Sequence, residues 1–100
     1  MERITLITGG SRGIGSAAAK LCAEAGHAVA VNYVTNADKA STVAAAIRDA
    51  GGIAMTVQAD TGDESQVERM FDAVSSELGL ITGLVNNAGV HGPRGRLDEL

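Results

Sequence analysis

The sequence is poor in cysteine, in lysine and in long apolar runs, and each shortage excludes a class of protein. Cys22 is the only cysteine, so no internal disulfide is possible and a reducing compartment fits. It falls on the expected inner face of the first helix, where a thiol acts as a small buried hydrophobe. No apolar run approaches the ~20 residues of a membrane span. Met1-Glu2-Arg3 leads straight into a strand-like run, without the apolar stretch of a signal peptide. The expectation is a cytoplasmic protein with no membrane partner. The basic residues are single scattered arginines plus Lys20 and Lys39, within a net charge of −4. A nucleic-acid footprint is therefore not indicated. No His, Cys or acidic cluster has metal-ligand spacing.

What is present is globular. Hydrophobic residues make up 45% and charged residues 20%, close to the averages of folded domains. One hundred residues amount to one domain or part of one. The most informative stretch is Thr8-Gly9-Gly10-Ser11-Arg12-Gly13-Ile14-Gly15. It follows the apolar run Ile4 to Ile7. It opens a segment with Ile14, Ala17, Ala18, Leu21 and Cys22 at helical spacing. The expected local structure is a strand, a tight glycine turn and a helix. Free N–H groups and the dipole at such a helix start suit a phosphate. The glycines at 9, 13 and 15 would serve the turn, the approach of a pyrophosphate and helix–strand packing.

The rest of the chain repeats the strand–helix alternation. The first strand is expected near residues 3–7 and the first helix near 13–25, ended by Gly26. Ala28 to Val31 is apolar on both faces, as in a parallel sheet covered on both sides. Asn36 to Asp38 offers caps for a second helix with Ala40, Val43, Ala44 and Ile47 at its apolar positions. Gly51-Gly52 ends it, and Ile53 to Val57 is a third strand. Thr61-x-x-Glu64 fits a capping box for a third helix striped by Val67, Met70, Phe71, Val74 and Leu78. Gly79 closes that helix and Ile81 to Val85 is a fourth strand. Asn86-Asn87-Ala88-Gly89 follows, then a turn-rich stretch with Gly92, Pro93 and Gly95. The pattern βαβαβαβ calls for a doubly wound parallel sheet with helices on both faces, strand order 3-2-1-4. The loops after strands 1 and 4 should then meet at one crevice, where such sheets bind ligands.

Thr8 to Gly15 and Asn86 to Gly89 together resemble the short-chain dehydrogenase/reductase family. The first stretch is similar to its Thr-Gly-x-x-x-Gly-Ile-Gly cofactor turn and the second to its Asn-Asn-Ala-Gly loop. The roughly 70 residues between them are what two further β–α units require. The resemblance implies a Rossmann-type fold and hydride transfer between a nicotinamide cofactor and a carbonyl/alcohol substrate. It implies that Gly9, Ser11, Gly13, Ile14 and Gly15 line the pyrophosphate and adenosine ribose, and that Thr8 ties the glycine turn to the second loop. Asp60 would accept from the adenine amino group with Thr61 beside it, although a plain helix cap is an equal reading of Thr61. Asn87, Ala88 and Gly89 would run along the cofactor's ribose, and Asn86 would tie strand ends. A homodimer or homotetramer is also implied.

The expected cofactor is NADP(H) in preference to NAD(H). An NAD site places an acid at the end of the second strand, on the ribose 2′-OH. Here that place holds Asn32-Tyr33, and no acid follows until Asp38. Arg12 could donate to a 2′-phosphate.

The family's Ser and Tyr-x-x-x-Lys are missing. The one tyrosine, Tyr33, is followed four residues on by Ala37. No catalytic residue is therefore assigned. Residues 1–100 read as the N-terminal dinucleotide-binding part of a single Rossmann domain, ending before its catalytic half. Strand 4 would then be an exposed edge, and the fragment alone is expected to be poorly stable. His27 follows a helix C-terminus and reads as a surface cap residue. His91, Arg94 and Arg96 lie in the loop after Gly89, where a substrate contact is open for His91. A non-catalytic nucleotide sensor or scaffold on the same fold stays open as the alternative.

Overall fold

A computed structural model describes residues 3–9 and 13–86. Along the chain the elements are β1 (Ile4–Thr8), α1 (Gly13–Glu24), β2 (Ala28–Tyr33), α2 (Ala37–Asp49), β3 (Ala54–Gln58), α3 (Glu64–Glu77) and β4 (Gly83–Asn86). The strands form one parallel sheet in the order β3-β2-β1-β4. Both the fold class and the strand order are those expected from the sequence.

Alternation along the strands divides the core in two. Ile7, Val29 and Val31 point to one face and pack with Ala19 of α1 and Ala40, Val43, Ala44 and Ile47 of α2. Ile4, Leu6, Ala28 and Ala30 point to the other and pack with Ala59 and with Met70 and Val74 of α3. On β2, the bulky Val29 and Val31 face α1 and α2, while the small Ala28 and Ala30 lie on the α3 side. The four apolar positions expected on α2 are all buried.

The helix ends follow from local chemistry. Gly26, at φ +96°, ends α1. Its N–H donates to Ala23 O and that of His27 to Cys22 O, at 2.9 and 3.0 Å. Those two bonds are the signature of a Schellman cap, which needs a left-handed residue where Gly26 stands. Gly51 and Gly52 close α2 with the same pair of bonds, to Arg48 O and Ile47 O. At the start of α2, Asn36 Oδ1 accepts from Lys39 N at 3.2 Å.

Four expectations are corrected. The inner face of α1 is Gly15 and Ala19, with Ala18, Cys22 and Ala23 half-buried against it. Ile14 and Leu21 are 79% and 65% exposed. Small residues allow α1 to lie close on the sheet, so the larger apolar ones point aside. The cap of α3 is Asp63, not Thr61. Its carboxylate accepts from Ser65 N, Ser65 Oγ, Gln66 N and Gln66 Nε2. The Ser65 hydroxyl first, and then the Gln66 N–H, hold the Asp63 carboxyl below the usual aspartate value. The strand β3 begins one residue later than expected, and β4 two residues later. For β4 the reason is Thr82: its hydroxyl accepts from Ile4 N at 3.0 Å while its N–H donates to Ile4 O at 2.8 Å. A side chain thus takes the place of a ladder bond, and regular pairing starts at Thr5 with Gly83. Finally, Phe71 stays 38% exposed at the margin of α3 instead of joining the core.

Among the described residues β4 pairs on one side only, with β1. Its Leu84 is 55% exposed.

Candidate functional site: the carboxyl end of the sheet

The site is built where the strands end. Thr8 of β1 pairs with Asn86 of β4, so the segments leaving these two strands start side by side. This is where the winding changes direction, because β2 and β3 lie on one side of β1 and β4 on the other. Sheets of this type bind ligands in the crevice at that point. Thr8 Oγ1 donates to Val85 O at 3.4 Å. That bond ties the base of the glycine turn to β4, one residue short of the Asn86 loop.

Gly9 turns the chain out of the sheet at φ +67°, a conformation that glycine adopts without a Cβ clash. The helix α1 begins at Gly13. Gly13 is exposed, and a Cβ built there meets nothing within 4 Å. Gly15, one turn-edge further in, is buried against the sheet. The exposed and buried glycines therefore divide two jobs between them: open backbone toward solvent and close packing toward the strands. The first N–H groups of α1 have no partner within the helix, and its first turn carries no acidic residue. The exposed Ile14 flanks the same opening.

Asp60 stands past the end of β3, exposed, after the buried Ala59. Its Oδ1 accepts from Gly62 N and its own N–H donates to Gln66 Oε1, both at 2.9 Å. The turn closes with Asp63 N on Asp60 O. The carboxylate is thus held by the loop at the carboxyl end of the sheet, with Thr61 exposed beside it. Tyr33 ends β2, half-buried against the α1/α2 side of the core.

Asn32, expected beside the cofactor at the end of β2, is fully buried. Its amide bonds to the backbone of Gly9 and of the segment ending β3. A polar residue in an otherwise apolar strand was the one signal that could have revealed this. His27, expected as a cap residue, completes the end of α1 through its N–H on Cys22 O. Its Nδ1 lies 2.8 Å from Thr5 Oγ1, at the opposite end of the sheet. Cys22 is half-buried.

Ser11, Arg12, Asn87, Ala88 and Gly89 lie outside the described residues, as do His91, Arg94 and Arg96. Among the described residues no group of three or more His, Cys, Asp or Glu side chains is placed to hold a metal ion. No described helix is long and apolar enough to cross a membrane.

Comparison with known proteins agrees with this geometry. The family model for short chain dehydrogenases matches residues 3–99. An uncharacterised oxidoreductase of Escherichia coli is 51% identical over 87 residues, covering 87% of this chain and 35% of that protein. The cis-4-hydroxycyclohexanecarboxylate dehydrogenase of Sinomonas cyclohexanicum is 43% identical over 99 residues, covering 99% and 39%. Among solved structures, a short-chain dehydrogenase/reductase from Serratia marcescens superposes with a TM-score of 0.84 at 41% identity, covering 88% of this chain and 36% of that one. The chain thus spans a little over a third of the length of the curated relatives it matches. With the strand order, the glycine turn and a match along nearly all of its residues, this chain belongs to the short-chain dehydrogenase/reductase family.

Proposed function

We propose that this chain forms the NADP(H)-binding part of an oxidoreductase that moves hydride between nicotinamide and a carbonyl/alcohol pair. The observation that carries the proposal is the meeting of β1 and β4 at Thr8 and Asn86, with a glycine turn leaving one strand and Asn87-Ala88-Gly89 following the other. When bound, the nicotinamide supplies the hydride chemistry. The residues of this chain hold and orient the cofactor. Gly9, Ser11, Gly13, Ile14 and Gly15 line the pyrophosphate and adenosine ribose, and backbone N–H groups at the start of α1 donate to the phosphates, helped by the helix dipole. The Asp60 carboxylate accepts from the adenine amino group. Ser11, Asn87, Ala88 and Gly89 line the riboses.

The preference for NADP(H) rests on charge. Neither Asn32 nor Tyr33, at the end of β2, carries a carboxylate that would repel a 2′-phosphate. Arg12 supplies a guanidinium within the glycine turn, suited to a charge-assisted bond with that phosphate. The relative from Sinomonas is named as a dehydrogenase of a ring hydroxyl, in keeping with an alcohol/carbonyl substrate. The active protein is proposed to be a homodimer or homotetramer, as the family resemblance implies, and to work in the cytoplasm.

Paired titrations of the full-length protein with NADPH and NADH test the reading. NADPH is expected to bind tighter by about tenfold or more, the value of one charge-assisted bond. Equal affinity, or tighter NADH, contradicts the cofactor assignment. Consumption of NADPH with a panel of simple ketones and aldehydes tests the reaction class. Nucleotide binding without turnover of any carbonyl or alcohol would contradict it.

A further inference from the structure

We propose that Asn32 is a positioning residue of the nucleotide site, its buried amide fixing the glycine turn after β1 relative to the Asp60 loop after β3. The proposal rests on the nucleotide-binding reading given above and adds to it a residue that touches no ligand.

The hydrogen bonds carry the argument. Asn32 Oδ1 accepts from Gly9 N at 3.3 Å. Its Nδ2 faces Ala59 O at 3.1 Å, Val57 O at 3.3 Å and Tyr33 O at 3.4 Å. The orientation of the amide is forced by these partners. Carbonyl oxygens must meet the NH₂ group, and the Gly9 N–H must meet the oxygen.

The partners sit at informative places. The β1–β2 ladder ends at Ile7 with Val31, and Gly9 lies beyond it. The β2–β3 ladder ends at Tyr33 with Gln58, and Ala59 lies beyond that. One side chain on the central strand of the three therefore extends the hydrogen bonding past both ladders, at the end where the ligand binds. Gly9 begins the pyrophosphate turn, and Ala59 immediately precedes Asp60. The amide thus spans the two parts of the site that would hold the pyrophosphate and the adenine of one dinucleotide.

Sheet stability alone does not call for an amide here. Earlier residues of β2 on the same face are Ala28 and Ala30, both buried and apolar. A buried amide is worth its desolvation only where it is satisfied, and all of its bonds reach backbone at this end of the sheet. Asparagine at this position also keeps a carboxylate out. An acid would place its charge against three carbonyl oxygens.

The test uses the full-length protein and separates positioning from stability. Asn32→Ala and Asn32→Thr are compared with Val74→Ala, which removes two methyls from the fully buried core under α3. Threonine suits a strand but is too short to reach both flanks. Both Asn32 variants are expected to weaken NADPH binding about tenfold and to raise the KM for NADPH with little change in kcat. Val74→Ala is expected to lower Tm while leaving the NADPH Kd unchanged. Wild-type affinity in folded Asn32→Thr overturns the proposal. So does a loss of affinity in Val74→Ala as large as that in the Asn32 variants, because stability would then explain both. If the wild-type protein binds neither NADPH nor NADH, the nucleotide reading itself fails and the positioning role with it.

Discussion

The three helices begin in two different ways. Those of α2 and α3 are closed by the chain itself. Asn36 accepts from Lys39 N, and Asp63 accepts from Ser65 N and Gln66 N. Each also carries an acid in its first turn, Asp38 or Glu64, which complements the helix dipole. The start of α1, Gly13-Ile14-Gly15, has no acid at all. The residue that precedes it, Arg12, has donors only. Two helix starts are thus satisfied internally for stability. The first turn of α1 carries no such acid and starts at the carboxyl end of the sheet, and we propose that it takes an anion from outside.

The largest effect is expected from making α1 resemble its neighbours. Gly13→Asp places a carboxylate in open space at the first helical position. It should leave the fold intact and add up to about 1 kcal/mol through the dipole. It should also weaken nucleotide binding about a hundredfold, since the carboxylate repels the pyrophosphate. Calorimetric titration with NADPH checks this. Next in size is Arg12→Ala, expected to weaken NADPH about tenfold while NADH is unchanged. Competition titrations with the two cofactors read that ratio. A smaller effect is expected at a closed helix start. Asn36→Ala should lower stability by about 1 kcal/mol and leave both cofactor affinities as they are, as urea unfolding and a cofactor titration would report.

The smallest effect concerns acid. Hydrogen bonds hold the Asp63 carboxyl below its usual value in the folded chain, so folding favours the ionised form. The stability this contributes is fully present above the ordinary aspartate pKa and is lost as pH falls through the lowered one. Asp63→Asn keeps an acceptor for the cap but removes the titration. Its Tm should fall less steeply than that of the wild type as pH drops through the aspartate range. Parallel acid limbs would contradict this.

The sequence made part of this contrast legible. Asn36, the α2 stripe of Ala40, Val43, Ala44 and Ile47, and the strand order could all be read from residue pattern, because each depends on local spacing. The start of α1 could be placed but not its orientation. Gly15 and Ala19 make the close contact with the sheet, and hydropathy periodicity favours larger residues such as Ile14 and Leu21. The α3 cap was misplaced because Thr61 and Asp63 both stand ahead of the helix. Which one caps depends on the Asp60–Asp63 turn, closed by bonds that a spacing rule does not see. The late start of β4 depends on Thr82 meeting Ile4 across 78 residues. Asn32 was singled out for the site, but its partners lie on two other strand ends. A buried amide's role is set by tertiary neighbours, and its own strand gives no indication of them.

The central claim is that the start of α1 is kept open for the cofactor, and paired thermal melts test it most directly. Wild-type protein and Gly13→Asp would each be melted with and without NADPH at about a hundred times the wild-type Kd. The wild type should gain about 2.7 kcal/mol at that concentration, seen as a raised Tm. The variant, equally folded, should show little or no rise. No rise in the wild type, or an equal rise in both, would contradict the account.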